Sequence, residues 1–99
     1  MGKFTVYLAG KITGNNEYVR DFEVASWKVK EMFGDDILIL NPAALPNNID
    51  YDKAINITSA MLREADMIVL LKNWKGSRGA SYERKLANLL GKKCVELSD

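Results

Sequence analysis

The chain has 99 residues, 47% hydrophobic and 27% charged, which fits one small domain over residues 1–99 and leaves no room for a second. Its 14 basic and 13 acidic residues are scattered to a net charge of +1, with no basic block that could track a phosphate backbone, so nucleic acid is not an expected partner. The lone Cys94 precludes an intramolecular disulfide, the absence of histidine would leave any zinc site to carboxylates alone, and no segment reaches the length of a membrane span. The N-terminus alternates like a strand instead of presenting a leader, so a cytoplasmic protein, cellular or viral, is expected. A core this small gains by covering one face with a second copy, which makes a homodimer or higher homo-oligomer the expected state.

Residues 4–9 form a β-rich run that stops at Gly10, and residues 10–16 read as a loop. Tyr18, Phe22, Ala25, Val29 and Met32 then recur at helical spacing, which predicts a helix over residues 16–33 with Asn15 or Asn16 as cap and Gly34 as stop. Residues 37–40, a continuous apolar run closed by Asn41-Pro42, suit a buried strand of a parallel sheet. Residues 42–50 hold two prolines and several amide or small residues, an irregular stretch longer than a plain connection and able to cover a site. A second helix is expected over residues 51–65, through Ala54, Ile55, Met61, Leu62 and Ala65, followed by a third buried strand over residues 67–71. The last helix runs from about Gly79 to Leu90, and residues 92–97 make a short final strand in which Cys94 is an ordinary strand residue. Strands alternating with helices at this spacing predict a small doubly wound, Rossmann- or flavodoxin-like three-layer α/β sandwich with a mostly parallel four-stranded sheet.

In such sheets ligands bind beyond the carboxyl ends of the strands, which brings residues 10–14, Asn41-Pro42 and residues 73–79 to one edge. Glu83 lies one turn inside the helix that starts there. On the last helix it shares the stripe of Leu86, Ala87 and Leu90, away from Arg84, Lys85 and Asn88, and an ionised carboxylate on a core-facing stripe is costly without partners or a task. The turn before it carries a hydroxyl at Ser77 and a cation at Arg78, which suits an anionic ligand at a helix N-terminus; Ser77 could equally cap the helix. It is not half of a capping box with Glu83, because the residue three after Ser77 is Ala80. Gly10-x-x-x-Gly14 matches neither the dinucleotide fingerprint nor the Walker A loop.

Three motifs, in order, resemble the nucleoside 2-deoxyribosyltransferase superfamily, and its small 2′-deoxynucleoside 5′-phosphate N-hydrolase-like and phage and bacterial members in particular. They are Val6-Tyr7-Leu8-Ala9-Gly10-Lys11-Ile12-Thr13-Gly14, then Asn41-Pro42-Ala43, then Ala65-Asp66-Met67-Ile68-Val69 followed by Trp74-x-x-Ser77-x-Gly79-Ala80-x-x-Glu83. The last is similar to the superfamily's Ser-x-Gly-x-x-x-Glu signature, and the likeness covers nearly the whole chain. The resemblance implies an N-glycosidase, hydrolytic or transferring deoxyribose, that needs no cofactor and takes a small-molecule nucleoside or nucleotide. Glu83 would be the nucleophile at the anomeric carbon. Tyr7, Gly10, Lys11, Ile12, Gly14, Asn41, Trp74, Ser77, Arg78 and Gly79 would contact substrate, with Ser77 and the amides around Gly79 receiving a 5′-hydroxyl or 5′-phosphate and Lys11 and Arg78 adding charge.

One position departs from that pattern. Relatives usually carry an aspartate where this chain has Thr58, and a hydroxyl cannot replace a carboxylate as proton donor near neutral pH; Asp50, Asp52 or Glu64 are the substitutes at hand. Asp66 is expected to end a helix or brace a strand. Trp74 could stack on a base or anchor an interface, Tyr7 could face the site or pack, and Tyr82 reads as core or interface. The threonine motivates a second reading, a nucleotide-binding or sequestering protein with impaired chemistry, and an interaction module with no small-molecule role is a third.

Overall fold

In the computed structural model, which describes residues 3–98, the apolar runs become four strands and the periodic segments three helices. They are β1 (Phe4–Ala9), α1 (Tyr18–Phe33), β2 (Ile37–Leu40), α2 (Tyr51–Glu64), β3 (Met67–Leu70), α3 (Arg78–Leu89) and β4 (Lys93–Glu96). The sheet order is β2-β1-β3-β4 and every pairing is parallel. Parallel strands pair only through crossovers, and the three helices supply them.

Strand alternation decides which side chains meet which helix layer. Val6 and Leu8 face one way and join Met67, Val69 and Leu71 against Phe22, Ala25 and Val29 of α1. Tyr7 and Ala9 face the other way with Ile68 and Leu70, against Leu62, Ala65, Ala80 and Ala87 of the α2–α3 layer. The result is the expected three-layer sandwich, with α1 on one side and α2 and α3 on the other. Each fully buried aliphatic or aromatic side chain contributes about 1.5–3 kcal/mol to holding the layers.

Several boundaries and burials differ from expectation. The expected cap positions Asn15 and Asn16 precede the cap: α1 begins after Glu17, whose amide donates to Asn15 Oδ1 at 3.1 Å. Met32 is 53% exposed and lies in the last turn of α1, past the buried Phe22, Ala25 and Val29. β2 is an edge strand and not a fully buried one: Ile37 is buried while Leu38 is exposed, since only β1 flanks it. Leu90 and Tyr82 also stay outside the core. Asp66 braces a strand, with its Oδ2 accepting from the Thr5 amide at 2.8 Å.

The order of strands reverses between β1 and β3, the neighbours that run to opposite edges, and a crevice opens outside their carboxyl ends. Gly10 sits there with no room for a side chain. A Cβ at this position would meet Leu71 Cβ at 2.9 Å and Asn73 Oδ1 at 3.2 Å. Gly10→Ala is therefore expected to lower stability by about 1–3 kcal/mol, the usual penalty of overpacking, read as a fall in the urea midpoint with an unchanged m-value.

Candidate active site

Three segments meet at the crevice. β1 presents Tyr7 toward the α2–α3 layer, α2 presents Thr58 and the side chains one and two turns before it, and α3 presents Glu83 from its second turn. Glu83 is buried, 5% exposed, yet it borders a cavity of about 100 Å³ walled also by Gly10, Ile12, Thr13 and Pro42, by Tyr51, Ala54 and Ile55, and by Ser77, Gly79 and Ala80. An adjoining cavity of about 150 Å³ shares Ile12, Thr13, Pro42, Tyr51, Ala54 and Thr58 and extends to Tyr18, Leu45, Pro46, Asn47 and Ile49. The irregular stretch after β2 thus walls the second cavity.

The contact that organises the site spans 76 positions: the Tyr7 hydroxyl donates to Glu83 Oε2 at 2.8 Å. Burial pushes the Glu83 carboxyl up from 4.5 to about 7, while hydrogen bonding from Thr58 and Tyr7 pulls the other way. Thr58 Oγ1 also donates to the Ile55 carbonyl at 3.3 Å, and one hydroxyl proton serves one acceptor at a time. Burial, then the adjacent Glu83 charge and the hydrogen bond to it, holds the Tyr7 phenol far above its ordinary value. Tyr7 is therefore a fixed donor and not a base. Glu83 thus lines the cavity as a carboxyl poised near neutrality, in a wall that includes no cationic residue.

Ser77 caps α3, its Oγ accepting from the Ala80 amide at 3.0 Å, and the residue also lines the cavity. Accepting leaves its proton available to a ligand. Tyr7, Gly10, Ile12, Ser77, Gly79 and Glu83 thus come together around one hollow. The other named residues lie outside the lining. Trp74 turns its indole away, donating from Nε1 to Glu96 Oε1 at 3.0 Å with Arg84 and Lys75 over its ring, because β4 lies beside β3 and draws the loop that way. Asn41 is spent on its own 3₁₀ turn (Pro42–Ala44), where Oδ1 accepts from the Ala43 amide at 2.9 Å. Gly14, with φ of 77°, shapes the turn and does not reach the cavity. Lys11 lies along Gly76, its amide donating to Asn73 Oδ1 at 3.1 Å. Arg78 stands at the rim, its guanidinium 4.9 Å from the centroid of the Tyr51 ring.

Thr13 lies in the first loop that the alternation of elements brings to this edge, whereas Tyr51, Ala54 and Ile55 were not legible as site residues. The signal was there in part: Tyr51, Ala54, Ile55 and Thr58 recur at one-turn spacing on α2, a stripe that reads as core until the cavity is seen. None of Asp50, Asp52 and Glu64 lines either cavity, so no second carboxylate among the described residues stands beside Glu83. A larger hollow of about 220 Å³ lies on the opposite side of the sheet between α1 and the ends of β3 and β4, bordered by Arg20, Asp21, Lys28, Lys72 and Asn73. Its ionisable side chains reach solvent, and it holds no buried carboxylate.

No curated protein matches the chain. Among solved structures it is similar to the 2-desoxiribosyltransferase from Leishmania mexicana, with a TM-score of 0.67 and 23% identity over 95% of this chain. The chain spans 63% of that protein's length. That likeness is one of fold, and it matches the α/β architecture expected from the alternation of strands and helices. A family model extends over residues 4–96, from the first residue of β1 to the last of β4, and by that match the chain belongs to the family described as Domain of unknown function (DUF4406).

Proposed function

We propose that the protein is a nucleoside or nucleotide N-glycosidase that uses Glu83 as nucleophile, releasing the base to water or exchanging it for another. The observation that supports this most is the buried Glu83 carboxyl, held at Oε2 by Tyr7 and bordering a hollow at the carboxyl ends of β1 and β3. Oε1 attacks the anomeric carbon, the carbon–nitrogen bond breaks, and a glycosyl ester forms on Glu83. The anion also opposes the positive charge that builds on the sugar in the transition state, in a wall of low polarity where that attraction is strong. Ser77 and the first turn of α3 receive the 5′ end of the sugar, and Arg78 at the rim supplies charge when that end is a phosphate.

Thr58 favours a second reading, in which the cavity binds and sequesters a nucleotide with little turnover. One set of measurements separates them. Deoxynucleosides and their 5′-monophosphates are incubated with wild type and with Glu83→Gln, and free base is quantified by chromatography. Base release by wild type alone is expected. Tight binding by calorimetry without release supports sequestration, and wild type indistinguishable from the variant after long incubation removes the glycosidase. The protein is taken to work as a homo-oligomer: Leu89, 84% exposed, and Tyr82 and Ile57 leave apolar surface on the α2–α3 layer.

A further inference from the structure

The geometry points to a substrate whose base already carries a positive charge on the ring, an N-quaternised heterocycle such as an N-alkylated purine or a pyridinium, joined to the sugar through nitrogen. This rests on the glycosidase reading and narrows it.

A neutral base leaves a sugar as an anion unless something protonates it as the bond breaks, and glycosidases meet that need with a second carboxylic acid. Around Glu83 the described residues supply none. The two joined cavities are walled by apolar side chains, hydroxyls and one amide, Asn47; Glu83 is the single carboxyl in either wall. Tyr7 is no substitute, because its proton is committed to Glu83 Oε2 at 2.8 Å. Thr58 stands where an acid would be useful, and a threonine hydroxyl does not give up its proton near neutral pH.

A quaternised ring removes the requirement. Glu83 Oε1 forms a bond to the anomeric carbon, the electron pair of the carbon–nitrogen bond returns to the ring nitrogen, and the ring departs neutral with no proton transferred. Water then cleaves the ester, restoring the carboxylate and releasing one proton to solvent. The walls suit the same charge. A cationic ring beside Glu83 is drawn to the anion, and the Tyr18 aromatic side chain is among those that line the second cavity, whereas Arg78 already sits on the Tyr51 ring. The apolar character of that cavity favours a flat ring over the phosphate or sugar.

The test compares deoxyguanosine with its N7-methylated form, which differ by one methyl group and the ring charge, together with a pyridinium deoxyribonucleoside, all corrected for spontaneous loss of base. Wild type is expected to show kcat/KM about 10²–10⁴-fold higher for the methylated nucleoside than for deoxyguanosine, the span a general acid would otherwise close. Thr58→Asp is expected to narrow that ratio by accelerating release of guanine. Comparable rates on the two nucleosides by wild type overturn the inference while leaving the glycosidase reading standing. Release from none of the three overturns both. Should Thr58→Asp fail to fold, as judged by circular dichroism, the wild-type ratio alone decides; a folded variant with an unchanged ratio assigns the preference to something other than the missing acid and sinks the proposal.

Discussion

Glu83→Gln is expected to be both the inactive protein and the more stable one above neutral pH. The activity follows from the loss of the attacking carboxylate, which an amide cannot replace; removal of a covalent nucleophile is expected to lower base release about 10³-fold or more. The stability follows from linkage. The Glu83 carboxyl titrates at 4.5 when unfolded and at about 7 when buried in the native protein, so between those values the native state holds a proton that the unfolded state has lost. Stability therefore falls as pH rises through this window and levels off above it, by on the order of 3 kcal/mol in all. The substituted amide has the same shape as the carboxyl, still accepts from Tyr7, and has no such proton to lose. Melting curves of wild type and variant should nearly coincide at pH 5 and separate by about 10 °C or more at pH 8. Parallel curves across that range would mean that the carboxylate is hydrated and ionised throughout, and the buried nucleophile would have to be abandoned.

A destabilising carboxylate at a cavity is also where the sequence was most informative and where its limits show. Glu83 announces itself because it breaks the apolar stripe of α3, a local conflict that pattern alone detects. The arrival of residues 10–14 and 73–79 at one edge follows from the alternation of strand and helix and the rule for ligand position in parallel sheets. Alternation does not give strand order. That β4 pairs with β3 depends on tertiary packing, and this pairing puts Glu96 under Trp74 and turns the indole from the cavity toward the edge of the sheet. In a sequence a base platform and an interface anchor are both loop aromatics, and the commoner of the two is the anchor.

Tyr7 shows the converse. Strand register places its side chain on the α2–α3 side, but nothing in a β-rich run distinguishes a phenol that merely packs from one that meets a carboxylate 76 positions away. The α2 residues were missed for a related reason. Ala54 and Ile55 have the spacing of a core stripe, and only the hollow left by the small or absent side chains of Gly79 and Ala80 turns that stripe into a wall. Substitutions that enlarge those positions should close the cavity without touching the chemistry of Glu83. Gly79 is the permissive case, since an added Cβ would lie 3.5 Å from Ile55 Cδ1, an ordinary contact.

Tyr7→Phe is expected to move the pH dependence of catalysis more than its ceiling. Because the nucleophile acts in its ionised form, kcat/KM of wild type should rise tenfold per pH unit on the acid side and level off above about 7. The Tyr7 hydroxyl donates to the charged form of Glu83 and so holds that value down against burial. A hydrogen bond to a charged group is worth about 1.5–3 kcal/mol, so its loss should carry the acid limb upward by about one to two pH units. At pH 7 the variant should be about tenfold slower, and at pH 9 or above it should approach wild type, with a more basic and no less nucleophilic carboxylate. The volume of the ring is kept, so the α2–α3 layer should stay closed, which a native circular dichroism spectrum would establish. A rate loss of the same size at every pH would instead place the phenol against the substrate, making Tyr7 a catalytic residue and not the group that positions Glu83.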